Sequence, residues 1–303
     1  MPSLLLALLA LVLTPETAWA WTPGTHVFLG EAVLRIAHTL PPTVAALLQA
    51  FPYDFLYGSI AADTSIAKKY VPVGRHCHSW AVGWEIRDRA RDEPLQAFAL
   101  GYLAHLAADV VAHNFYVPHQ LAVTASTSTI GHSYWEARID THLGERWPRR
   151  AVDVIRRDHS RSDDHLDRIL SPTIFSTPTN RRLFRGMVYA ADLDSWQRLF
   201  QFVRDNSRWD LPDAAVGTYL ARSYDYIVDL LHRADRAEPI RFDPSGDAAL
   251  REAKRVRRSA WREGGDPATR EEARRHFGLP ASPLDYAALL PAPLYPPTRD
   301  ASN

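Results

Sequence analysis

His105, Asp109 and His113 follow one another at four-residue intervals in the segment Leu100-Gly-Tyr-Leu-Ala-His-Leu-Ala-Ala-Asp-Val-Val-Ala-His113. On an α-helix each such step advances about 40°, so the three side chains share a stripe roughly 80° wide. Leu103, Leu106, Val110 and Val111 flank them, which makes this a buried helix carrying three potential ligands. A buried carboxylate between two imidazoles is costly unless cations compensate it. Protonated histidines are one source of that charge, and a divalent metal ion is the more economical one. His132 and Glu136 repeat the spacing in Gly-His-Ser-Tyr-Trp-Glu, a common way for one helix to hold an ion with two side chains. Asp63, and His76 and His78 on either side of Cys77, extend the candidate set upstream.

Each candidate also has a plainer reading. A lone histidine on an apolar face is usually a core residue with a hydrogen-bond partner. His132 and Glu136 alone make an ordinary pair on an exposed helix, and Asp63 equally suits the cap of a helix beginning near Thr64. Cys77 reads as structural, because its neighbours point the other way in any extended segment. His38, His119 and His142 read as surface or packing residues. The run Asp158-His-Ser-Arg-Ser-Asp-Asp-His165 reads as a solvated loop and helix start.

The elements that must position these groups are helical. Apolar residues recur at three- and four-residue spacings over 25–40, 43–51, 80–92, 94–115 and 132–146, and again near 150–157, 178–205 and 214–233. Loops are expected at Pro41-Pro42, at 70–78, at 116–131 and around Ser171-Pro172. Alternating β patterns are almost absent, so the fold class is all-α. Lys plus Arg and Asp plus Glu number 35 each, which argues against bulk electrostatic binding to nucleic acid or an anionic membrane. Cys77 is the single cysteine, so no internal disulfide forms and the core or bound metal must hold the chain. Beyond about residue 236, charge and proline increase. Residues 247–277 suit one or two charged helices, and 278–303 an extended arm or tail.

The N-terminus adds a further ligand. Residues 4–13 (LLLALLALVL) form an apolar run, followed by Pro15 and Ala18-Trp19-Ala20. This is expected to be a secretory signal cleaved after Ala20, although no Lys or Arg precedes the run. The run is too short to span a bilayer. Cleavage exposes Trp21, whose α-amino and carbonyl groups can chelate a metal together with the imidazole of His26. The expected organisation is a signal peptide at 1–20, a catalytic domain at 21–235 and a charged, proline-rich extension at 236–303. Localisation is expected to be secreted or periplasmic.

Together these residues resemble the zinc-dependent phospholipase C family, which is related to the single-strand nucleases of the S1/P1 type. The resemblance runs from Trp21 to about Glu136 in order, residue type and rough spacing. It implies a single multi-helix domain with three zinc ions. One would be held by Asp63, by His76 or His78, by His105 and by Asp109. A second would take Trp21 and His26 and share Asp109, and a third would take His113, His132 and Glu136. His113 follows Asp109 by four residues, where the classical secreted phospholipases have six. That spacing resembles the branch containing the glycosylphosphatidylinositol-specific phospholipases, and His119 stands as a weaker alternative ligand. Residues 236–303 lack the strand pattern of a β-rich membrane-binding domain, which disfavours a lytic toxin.

The resemblance implies phosphodiester hydrolysis by a metal-activated hydroxide, with Asp63 assisting proton removal and Asp109 bridging two ions. The substrate would be a phospholipid, reached by transient contact with a membrane surface, with no stable nucleic-acid partner. Glu136 leans toward the phospholipases, while the short interval from Trp21 to His26 leans toward a single-strand nuclease. A non-catalytic exported metal-binding protein is the reading from another class. The expected result on protein from an exporting host is an intact mass beginning at Trp21. A mature chain that starts elsewhere lacks the α-amino chelate.

Overall fold

Proline and short capping side chains start many of the helices. The computed structural model describes residues 21–65, 71, 75–124, 128–207 and 209–295. The expected signal peptide, part of the loop at 70–78, part of that at 116–131 and residues 296–303 of the tail lie outside the described residues. Helix α1 (Pro23–Arg35) is capped by Thr22, whose side chain accepts from the Thr25 amide. Pro42 and Pro52 open α2 (Pro42–Ala50) and α3 (Pro52–Ala61), where a missing N–H costs nothing. A 3₁₀ turn at Ala62–Thr64 follows α3 and carries Asp63. Next come α4 (Trp80–Asp88) and α5 (Glu93–Val111), the latter capped by Asp92 on the Leu95 amide.

Helix α5 is the central element. It does not stop at Val111 but widens into a π-helical turn, Ala112–Tyr116, and continues as α6 (Val117–Val123). By length and composition 93–123 is apolar enough to cross a membrane, yet it lies inside the protein and carries His105, Asp109 and His113. The remaining helices are α7 (Ser128–Leu143), α8 (Arg146–Ile155), α9 (Ser160–Asp167), α10 (Thr177–Ala191), α11 (Asp194–Asp205), α12 (Asp213–Arg233) and α13 (Asp247–Phe277). Among the described residues there is no strand, and the all-α class holds.

Three details differ from the periodicity. The expected loop at 116–131 contains α6, because Pro118 falls in the first turn, where proline is tolerated. The stretch 178–205 is two helices, separated where Leu193 turns to an extended conformation. The run 158–165 is not solvated throughout: His159, Ser162, Asp163 and His165 are buried. Asp163 accepts from the Tyr57 hydroxyl and faces the Arg181 and Arg185 guanidinium groups at 3.0 and 3.1 Å, which compensates its burial.

Helices α3 and α5 cross with their backbones in contact. A Cβ on Gly58 would stand 2.0 Å from the Phe98 carbonyl oxygen, and one on Gly101 would stand 2.0 Å from that of Phe55. Only glycine at both positions permits this approach. It brings the Ser59 carbonyl and the turn bearing Asp63 beside His105. At the other end of the chain, Asp225 accepts from the Ala287 amide and Asp229 from the Glu238 amide, which ties 237–287 to α12. Helix α13 breaks at Gly265, whose φ of 64° lies in the left-handed region, and its buried face includes Ala253, Val256, Ala260, Thr269, Ala273 and Phe277.

Replacing Gly101 by Ala should cost about 3 kcal/mol or more, since neither backbone can withdraw without disturbing the core. Gly186, in the middle of α10 with nothing within 4 Å of an added Cβ, is the control. Gly186→Ala should stabilise by about 0.5–1 kcal/mol. Urea unfolding of the two variants measures both effects, and equal midpoints would refute the tight crossing.

Candidate metal centre

Four separate stretches of chain bring buried ligand groups to the turn of α5 that carries Asp109 and to the π turn that carries His113. His26 comes from α1, where the Thr25 hydroxyl donates to Asp140 of α7 at 2.7 Å and holds the two helices together. Trp21, fully buried, donates from its indole to the carbonyl of Ala108 at 3.0 Å and stacks on Tyr116. Its main chain is thereby anchored next to the helix turn that bears Asp109. Asp63 comes from the 3₁₀ turn after α3, and His78 from the turn before α4.

Around Asp109 the imidazoles converge. His26 Nε2 lies 3.2 Å from Oδ1, while His78 Nε2 and His105 Nε2 lie 2.9 and 3.0 Å from Oδ2. His78 Nε2 also stands 3.4 Å from Asp63 and 3.1 Å from His105 Nε2. The His26 and His105 rings stack with centroids 3.9 Å apart. Ligand atoms of Asp63, His78 and His105 lie within 4.8 Å of one another, as do those of His26, His105 and Asp109. His78 therefore joins this cluster. His76 is turned back on its own loop, where its Nδ1 accepts from the His78 amide at 3.0 Å. Cys77 is buried, with its carbonyl accepting from Tyr102 and its sulfur 3.2 Å from His78 Nδ1.

A second cluster adjoins the first. His113, His132 and Glu136 also bring their ligand atoms within 4.8 Å, with His132 Nε2 2.7 Å from Glu136 Oε1. The His78 and His113 rings are 6.0 Å apart, centroid to centroid, so the two clusters are neighbours. The backbone stays in α-helical dihedrals through Ala112, which keeps His113 near the stripe of His105 and Asp109. His113 lies in the first part of the π turn and faces His132 of α7 as well as His78. His119, half-buried on α6, is not among these groups. Burial and the charge of Arg274 on α13 hold its imidazole below the usual histidine range.

Whether these residues suit a metal turns on which nitrogens carry protons. His105 Nδ1 faces the Ser59 carbonyl at 2.9 Å, and His113 Nδ1 faces the Pro244 carbonyl at 2.7 Å. A carbonyl only accepts, so in each neutral ring Nδ1 holds the hydrogen and Nε2 presents a lone pair. Those lone pairs point into the two clusters. Both Asp109 oxygens are buried, and no imidazole donates to either in good alignment despite the short separations. Carboxylate oxygens and imidazole lone pairs facing one another repel unless a cation lies between them. The donor set of nitrogen and carboxylate oxygen fits zinc. The carbonyls of Ser59 and Pro244 could not have been found as partners from sequence, because they lie 46 and 131 residues from their histidines.

Titration follows the same electrostatics. Burial lowers the His26 imidazole below its ordinary value, and charge on His105 lowers it further, against the opposing pull of Asp109. Burial works to raise the Asp109 carboxyl. A proton on His105, together with the close His26 and His78 imidazoles, outweighs it and holds Asp109 well below the usual carboxylate range. Both folded values are depressed, so the unfolded chain binds more protons in acid and folding stability is lost as pH falls. For chelator-treated protein the melting temperature should drop as pH falls below the ordinary histidine value of 6.5. His26→Gln should flatten the upper part of that decline. A melting temperature that stays level or rises from pH 7 to pH 5 would contradict this balance.

A sequence model described as zinc dependent phospholipase C matches residues 25–177, which contain every candidate ligand except Trp21. No curated protein and no solved structure matches the chain. Half of the chain, including both clusters on α5 and the crossing that positions them, thus carries the pattern of one family of hydrolases. The chain belongs to the zinc-dependent phospholipase C family.

Proposed function

We propose that this protein is an exported phospholipase C that hydrolyses the phosphodiester on the glycerol side of a phospholipid, releasing diacylglycerol and a phosphorylated head group. The observation that carries the reading is the pair of adjoining ligand clusters on α5 within the matched segment. Three zinc ions are proposed, in line with the ligand groups around Asp63, around His26 and around His113. When bound, zinc acidifies water and neutralises charge building on phosphoryl oxygens. Export is proposed to proceed by cleavage after Ala20, which would free the α-amino group of Trp21.

The side chains divide the work by position. Asp109, fully buried on α5, lies between His26 on one side and His78 and His105 on the other, and suits a shared ligand. Asp63 is at the edge of the same cluster, 3.4 Å from His78 and 3.9 Å from His105. Its carboxylate is the candidate acceptor for the proton leaving the attacking water. Asp63→Asn keeps the shape of the side chain and removes that base. Turnover of a phosphatidylcholine substrate by zinc-loaded protein should fall by about 100-fold or more.

The unaltered protein, loaded with zinc, should contain close to three zinc ions per chain by elemental analysis. Hydrolysis of single-stranded DNA but not of phospholipid would replace this reading with the nuclease one. Full zinc content with neither activity would favour the non-catalytic metal-binding reading.

A further inference from the structure

One candidate ligand is held from a part of the chain that lies outside residues 25–177. Three consecutive carbonyls, of Phe242, Asp243 and Pro244, accept from the Trp80 indole at 2.8 Å, the Asn114 amide at 2.8 Å and His113 Nδ1 at 2.7 Å. The Phe242 ring meets Phe115 edge-on, with centroids 5.3 Å apart. Ser245 closes the turn on Asp243, its hydroxyl donating at 2.6 Å and its amide at 3.0 Å. Gly246 then passes directly against His113. A Cβ there would stand 2.4 Å from both the His113 Cβ and its carbonyl oxygen, and the φ of 60° is left-handed. Downstream, Arg257 in the first half of α13 donates to the Ala122 carbonyl of α6 at 3.1 Å, which ties the two helices together.

We propose that residues 242–246 form a positioning strap that fixes the His113 imidazole for zinc. His113 sits on a π turn, a rare local geometry frequent at functional sites. The strap supplies a carbonyl that sets the Nδ1–H tautomer and a glycine backbone packed against the His113 Cβ and main chain. The Nε2 lone pair is then held toward His132 and Glu136. Partners of this kind typically contribute about 10- to 100-fold to metal affinity. The inference rests on reading His113 as a ligand, and its test separates the two.

Full-length chains, loaded with zinc, would be dialysed against graded chelator and their zinc content measured at each step. His113→Ala should lose one ion that the unaltered protein keeps. Gly246→Ala should keep its helical circular dichroism yet release that same ion at about 10- to 100-fold lower chelator concentration. Trp80→Phe, which removes one anchor of the strap without adding bulk, should shift release in the same direction by less. Cobalt loading gives an independent readout, with altered d–d absorption from one site only.

If His113→Ala loses an ion while Gly246→Ala releases zinc like the unaltered chain, the strap is refuted and the ligand survives. If Gly246→Ala does not fold, Trp80→Phe decides, and unchanged zinc release in that variant refutes the strap. If His113→Ala loses no zinc, the ligand reading falls and the strap falls with it.

Discussion

Everything near the middle of this protein is arranged around one buried carboxylate. Asp109 is fully enclosed in an apolar helix, and three imidazoles crowd its two oxygens. An arrangement of that kind is unstable by itself, because desolvating a carboxylate costs several kcal/mol, on the order found for other buried ions. A cation has to complete it. The helices converging on α5 are consistent with that need: α1 supplies His26, the turn before α4 supplies His78, and α3 ends in the turn that carries Asp63. In a chain with one cysteine and no disulfide, bound metal also becomes part of the folding energy.

Two backbone features lie at the two adjoining clusters. The reciprocal glycine contact between α3 and α5 brings the Ser59 carbonyl to His105 and so selects the tautomer of that ring. The π turn after Val111 carries His113, which adds His132 of α7 to a neighbour it shares with Asp109, His78. Both features act on α5, and both act through backbone atoms. The side chains supply chemistry, while backbone geometry decides which of them meet.

The charged C-terminal stretch takes part in this arrangement. Its helix α13 presents a narrow stripe of small and apolar residues to α6, while its arginines and glutamates pair along the exposed side. Such surface pairs contribute little to stability. The significance of the stretch lies instead in its first turn, where three carbonyls and a glycine bear on α4 and the π turn. Far from that turn, the buried network of Tyr57, Asp163, Arg181 and Arg185 shows the opposite solution to a buried charge, with guanidinium groups doing what a metal would do near Asp109.

The helical class and the ligand candidates were legible in the residues because both are local. Four-residue spacing on an apolar background places His105 with Asp109 and His132 with Glu136, whatever the rest of the chain does. The order of Asp63, the His76–His78 pair and the two helical motifs carried the family resemblance for the same reason. The choice between His76 and His78 was not local, since it depends on how a turn presents its side chains to a helix 27 residues away. The extra helix at 117–123, the buried role of Asp163 and the π turn at His113 were likewise decided in three dimensions. So were the carbonyl partners of His105 and His113, because every residue has a carbonyl and no residue type marks the one that will be used. Sequence determined which groups were available for chemistry; tertiary structure decided which of them share a site, since that depends on backbone contacts between distant segments.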